Sequence, residues 1–113
     1  MNIYDKINDL ANALRQSEEL NRYIEIKKEV YKDEEKKKQI ENFRQKQIEV
    51  QSLSMEGKIE ESEKKYAILQ QMYQILMQDE NIKKMFDAEV KFDILVGDMY
   101  KILGEAIKGA IED

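Results

Sequence analysis

The side chains in this sequence with the chemistry for a reaction are carboxylates, lysines, tyrosines, hydroxyls and amides, because the 113 residues contain no His, no Cys and no Trp. Glu89 and Asp93 stand one helical turn apart beside Phe86, Phe92 and Val96. Such an i, i+4 pair has the donors for a hard cation or a shared proton. A di-iron helical site needs Glu-x-x-His, which a chain without His cannot supply. Pairing of Glu89 with lysines or with a neighbouring helix is the simpler reading. Asp79-Glu80 lacks the Asp-x-Asp-x-Asp-Gly spacing of a calcium loop and reads as a helix start. Lys36-Lys37-Lys38 lies within a turn of Glu34, Glu35 and Glu41, which makes a salt-bridged, solvated face. Lys27, Lys28, Lys32, Lys36 and Lys37 form a local basic strip, and RNA is the alternative partner it suggests, bound with a steep salt dependence. Tyr66, Tyr73 and Tyr100 recur beside Leu69, Leu76 and Leu103, a pattern of core or interface packing rather than base stacking. Met72, Met85 and Met99 fall on apolar stripes, while Met55 and Met77 are better placed for surface contact. No catalytic, cofactor-binding or metal-binding residue is assigned. Met55, Met77, Glu89 and Asp93 are the candidate partner surface.

Composition narrows the classes further. Absence of Cys removes disulfides, thiolate nucleophiles and cysteine-held iron–sulfur clusters. Absence of His removes Ser-His-Asp machinery and imidazole ligands. With no Pro and four Gly, a turn-rich β fold is not expected. Nineteen basic against 24 acidic residues give a net charge of −5, which opposes phosphate binding. The arginines are Arg15, Arg22 and Arg44; the remaining cations are lysines, which lack the planar fork suited to phosphate. The longest apolar run, Tyr66-Ala67-Ile68-Leu69, falls far short of the roughly 20 residues of a membrane span. Residues 1–6 lack the pattern of a secretory signal, so a cytoplasmic protein without membrane insertion is expected.

Placing these residues requires helices. Apolar spacing is close to 3.6 throughout. Ile3, Ile7, Leu10 and Leu14 form one stripe, with Asn2 as cap and Asp5 completing an approximate capping box. Ser17 caps a second helix whose acidic first turn, Glu18-Glu19, suits the helix dipole. Leu20, Tyr23, Ile24, Lys27, Val30 and Tyr31 share its face. The phase then slips at Asp33-Glu34-Glu35, which marks a break. Ile40, Phe43, Gln47 and Val50 continue on a third helix that stops near Gly57, where a positive φ costs nothing. Tyr66, Leu69, Tyr73 and Leu76 mark a fourth, and Asp79 caps the next start.

Phe92, Val96, Met99, Leu103, Ala106 and Ala110 follow alternating steps of four and three, a heptad seam. The expected fold is all-α, one helical domain over residues 1–113. A long hairpin turns at Gly57, with arms 33–56 and 59–78 of about 36 and about 30 Å, flanked by further helices. Such thin arms complete their core by oligomerising. A homodimer or tetramer is expected, with Phe92, Val96, Met99 and Leu103 as its seam.

An ordered set of segments carries a resemblance. Ser17-Glu18-Glu19-Leu20 follows a short amphipathic helix. After it come Glu41-Asn42-Phe43-Arg44, Met55-Glu56-Gly57, Met77-Gln78-Asp79-Glu80-Asn81-Ile82, Asp87-Ala88-Glu89, Leu95-Val96-Gly97-Asp98 and Ile102-Leu103. In order and spacing the chain resembles the YlbF/YmcA/YheA family of small helical bacterial proteins, over nearly its whole length. It is most similar to the YheA-like branch, an uncharacterised protein family. The resemblance implies an all-α fold, self-association and a regulatory rather than enzymatic role. YlbF and YmcA members work with a third protein, YaaT, to modulate the membrane-anchored endoribonuclease RNase Y, and they carry cysteine-held iron–sulfur clusters. This chain departs from them in having no Cys, so no cluster is carried over. The function expected is that of a non-enzymatic helical adaptor binding cytosolic proteins, linked by resemblance to RNase Y-type regulation.

Overall fold

The computed structural model describes residues 2–112, within which the chain forms five α-helices and no strand. They are α1 (Ile3–Arg15), α2 (Glu18–Val30), α3 (Glu34–Met55), α4 (Ile59–Leu76) and α5 (Glu80–Glu112). The all-α architecture with a hairpin at Gly57 is as expected, and the longest element is α5, with 33 residues.

Short polar side chains set the boundaries. The Asn2 Oδ1 accepts the Tyr4 N–H at 2.8 Å and starts α1. Ser17 serves both sides of the next junction: its Oγ donates to the Leu14 carbonyl at 2.8 Å and accepts the Leu20 N–H at 3.2 Å. The phase slip at Asp33 is a helix boundary, where the carboxylate accepts the Glu35 and Lys36 N–H groups at 3.0 and 3.2 Å. Asp79 repeats the device for α5, accepting from Asn81 and Ile82 at 2.9 and 3.1 Å. Each cap satisfies backbone donors that the first helical turn leaves unpaired. Gly57 has φ +81°, and the Lys58 N–H reaches back to the Leu53 carbonyl at 2.9 Å. Together these close α3 with a left-handed residue that reverses the chain.

The backbone groups into two compact units. The hairpin unit, residues 27–84, contains α3 and α4 packed antiparallel. Cross-arm contacts join residues nearly equidistant from Gly57 along the chain. Ser62 Oγ donates to the Val50 carbonyl at 3.3 Å, Lys65 pairs with Glu49 at 3.6 Å, and the Phe43 and Tyr73 rings lie 6.1 Å apart. Val30, Ile40, Phe43, Leu69, Leu76 and Ile82 are the buried apolar residues of this unit, each contributing about 1.5–3 kcal/mol. The terminal unit comprises the described parts of residues 1–26 and 85–113. Its buried residues are Met85, Phe86 and Ala88.

Two glycines separate backbone need from mere presence. Gly57→Ala forces a side chain into the left-handed region and is expected to lower stability by about 1–2 kcal/mol. Gly97 lies inside α5 with open space where a Cβ would stand. Gly97→Ala is expected to raise stability by about 0.5–1 kcal/mol. Thermal unfolding followed by circular dichroism checks both.

Candidate functional site

The features that stand out in this molecule are apolar faces without cover. In the terminal unit α1 buries no residue, and Ile3 is 68% exposed. Along α5 the seam grades outward: Phe92, Val96 and Met99 are half-buried, whereas Leu103 is 47% exposed. Every residue from Tyr100 to Glu112 is exposed, and Ile111 reaches 77%. Lys101, Glu105, Lys108 and Glu112 occupy the opposite side of these last turns, so the segment is amphipathic. Glu89 is half-buried and Asp93 exposed on the same helix.

The candidate partner residues do not gather in one place. Met55 is 81% exposed at the hairpin tip, and Met77 is half-buried at the far end, capping the C-terminus of α4. Glu89 and Asp93 belong to the other unit. Met85 is fully buried, as its stripe position suggests, whereas Met72 and Met99 are half-buried. Tyr66 and Tyr73 stand at the rim of the hairpin rather than inside it. With Phe43, Gln47, Leu69 and Gln70 they line an open depression of about 250 Å³, and Gln70 Nε2 donates to the Tyr66 hydroxyl at 2.6 Å. Tyr100 is exposed on α5.

The basic strip is divided among internal contacts. Lys32 pairs with Glu29 at 2.8 Å. The Nζ of Lys27 and Lys37 lie 5.1 and 5.9 Å from the Tyr31 ring centroid, within reach of the negative π face. Lys36 Nζ lies 2.8 Å from Asp79 Oδ2. That contact ties the first turn of α3 to the cap of α5. The Asp79 carboxyl is held below its ordinary value of 3.8, first by the hydrogen bond from Lys36, then by the Ile82 N–H, against a smaller opposing effect of burial. The same bond raises Lys36. Sequence reasoning assigned Asp79 its capping role but not this partner, and it did not single out Tyr31 as a cation acceptor. The Lys27–Tyr31 spacing of i, i+4 was a signal for the second.

Carboxylates do not assemble further. Among the described residues no group of three or more acidic side chains is arranged to hold a metal ion. Among the same residues no helix is long and apolar enough to cross a membrane.

Five helices, side-chain caps at their junctions and open apolar faces define a small all-α protein. The family model described as control of the competence regulator ComK, YlbF/YmcA, matches residues 3–108, and the chain belongs to this family. It is 35% identical to the UPF0342 protein YheA of Bacillus subtilis over 115 residues, covering 99% of this chain and 97% of that protein. A UPF0342 protein of Clostridium novyi is 39% identical over 107 residues, covering 95% of this chain and 93% of its own length. In three dimensions the chain is similar to YheA from Bacillus subtilis, with a TM-score of 0.72, 30% identity and coverage of 96% of this chain and 97% of that one.

The Lys36–Asp79 contact has a defined pH signature. The folded carboxyl ionises at lower pH than the unfolded one, so its contribution is complete above about 3.8. It is lost as pH falls through the lower folded value. Asp79→Asn keeps a capping oxygen and loses the ion pair. Wild type is therefore expected to be the more stable at neutral pH, with the gap closing below pH 3.8. Asp79→Ala removes the cap as well, at a further cost of about 1 kcal/mol. Urea unfolding of the three proteins across pH 2–7 measures this.

Proposed function

We propose that this chain is a non-enzymatic regulatory adaptor of the cytoplasm, acting through helix-on-helix contacts with copies of itself and with other proteins. The observation that carries this reading is the uncovered apolar face of α5, half-buried at Phe92, Val96 and Met99 and open from Leu103 onward. An apolar stripe of this kind is the element that an amphipathic helix lays against a partner. Membership of a family described by control of the competence regulator ComK supports a regulatory role. Residues 1–113 act as one helical domain in this reading. Phe92, Val96, Met99 and Leu103 form the self-association seam. Met55, Met77, Glu89 and Asp93 contribute contacts to other proteins, where exposed Met supplies adaptable apolar surface and acidic residues supply specificity. By family resemblance the partners include factors of RNase Y-type RNA processing, which co-purification from the native cell would recover.

The seam is testable without any knowledge of the partner. Val96→Glu combined with Leu103→Glu places two carboxylates in the contact, and burying such charges costs several kcal/mol. Sedimentation is expected to show dissociation to smaller species, with association weakened by at least about 100-fold, or about 2.8 kcal/mol. Helicity should be retained. An unchanged folded oligomer would reassign the seam.

A further inference from the structure

We infer that in the assembled state α1 of one chain lies along the distal part of α5 of a second copy, so that two chains exchange their first helices. This rests on the self-association reading above and deepens it by naming what covers α5.

The first observation is that α1 carries a complete apolar stripe, Ile3, Ile7, Leu10 and Leu14, yet buries no residue. Nor is α1 a loose arm. The junction with α2 is fastened by the two Ser17 Oγ bonds already described and by Asn21 Nδ2, which donates to the Arg15 and Ser17 carbonyls at 3.3 and 2.9 Å. Ile3, Ile7 and Leu10 are exposed on α1, so the distal end of the same chain does not cover the stripe.

The second observation is a match of dimensions. α1 has 13 residues, and the uninterrupted exposed segment of α5 runs from Tyr100 to Glu112. Both are about 20 Å long at about 1.5 Å per residue. On α5 the stripe places Leu103 and Ile107 beside the small Ala106 and Ala110, which receive branched side chains from a facing helix. An α5–α5 contact alone would leave the α1 stripe in water.

The third is area. Nine large apolar side chains are exposed on these two segments. At roughly 90 Å² each they offer about 800 Å² per chain, the area per partner of a stable interface. Each chain brings both stripes, so one two-fold axis covers both at once, the isologous solution.

The natural absence of Cys makes the test direct. Ile7→Cys and Ile107→Cys each introduce one thiol at an exposed position, where the fold loses little; circular dichroism verifies this. The two proteins, one carrying a mass tag, are mixed and treated with a short bis-maleimide. Leu103→Cys repeats the experiment in case the helices run parallel. Helix exchange gives a product containing one chain of each kind, in excess over the self-products of either variant alone. A dominant Ile107→Cys self-product, with no excess of the mixed one, would overturn the exchange while leaving self-association standing. Intrachain cross-linking of the double variant in a monomer would overturn it because α1 then covers its own α5. Monomeric sedimentation of the wild type without any interchain product would remove both the exchange and the self-association reading.

Discussion

An amphipathic helix carries a stripe that must leave water, and each such stripe needs a second surface of matching shape. The hairpin meets this demand internally along one stripe: Ile40 and Phe43 on α3 are buried, as are Leu69 and Leu76 on α4, while Ile48, Ile68 and Ile75 stay exposed. The turn at Gly57 brings the two arms together antiparallel. The terminal unit meets it only in part. Met85, Phe86 and Ala88 are buried, whereas Ile3, Ile7 and Leu10 on α1 and the apolar residues in the last turns of α5 are exposed. That asymmetry leaves the larger uncovered apolar face in the terminal unit.

Charge has a different task in this molecule from chemistry. Aspartates at 33 and 79 sit at helix starts, where the unpaired N–H groups and the helix dipole favour an anion. Lys36 and Asp79 use opposite charges to link two helix starts within the hairpin unit. Lys27 and Lys37 turn to an aromatic ring. Surface ion pairs of this kind contribute about 0–1 kcal/mol each, so their effect is on helix boundaries and placement more than on total stability. A basic strip that reads as continuous along the sequence is thus separated into local contacts.

Most of the fold was legible because its determinants are local. Asn2, Ser17, Asp33, Asp79 and Gly57 each act within a few residues, so residue type and position were enough to place the helix boundaries they mark. The stripes through Ile40 and Phe43, and through Leu69 and Leu76, were legible for the same reason. Periodicity identifies which side of a helix is apolar, but not what lies against it. Tyr66 and Tyr73 share a stripe with the buried Leu69 and Leu76, yet they stand at the rim. A large ring with a polar end is accommodated at the edge of a two-helix contact, where its hydroxyl stays wet. The Lys36–Asp79 contact joins residues far apart in the chain, and no spacing rule could pair them. Candidate contact residues were legible as types, a Met here and a carboxylate there, while their division between two units was not.

The positions of the caps also bear on the order in which this chain acquires structure. The capping bonds of Ser17, Asp33 and Asp79 each reach no more than three residues along the chain. Helix boundaries can therefore be set before any distant segments meet. The principal tertiary event is closure of one hairpin between adjacent helices, a small entropic search. Helical topologies of this local kind fold on the order of microseconds to milliseconds. In the self-association proposed above, contact with a second chain depends on concentration and comes afterwards. A newly made chain is thus a formed set of rods with its apolar stripes already in place.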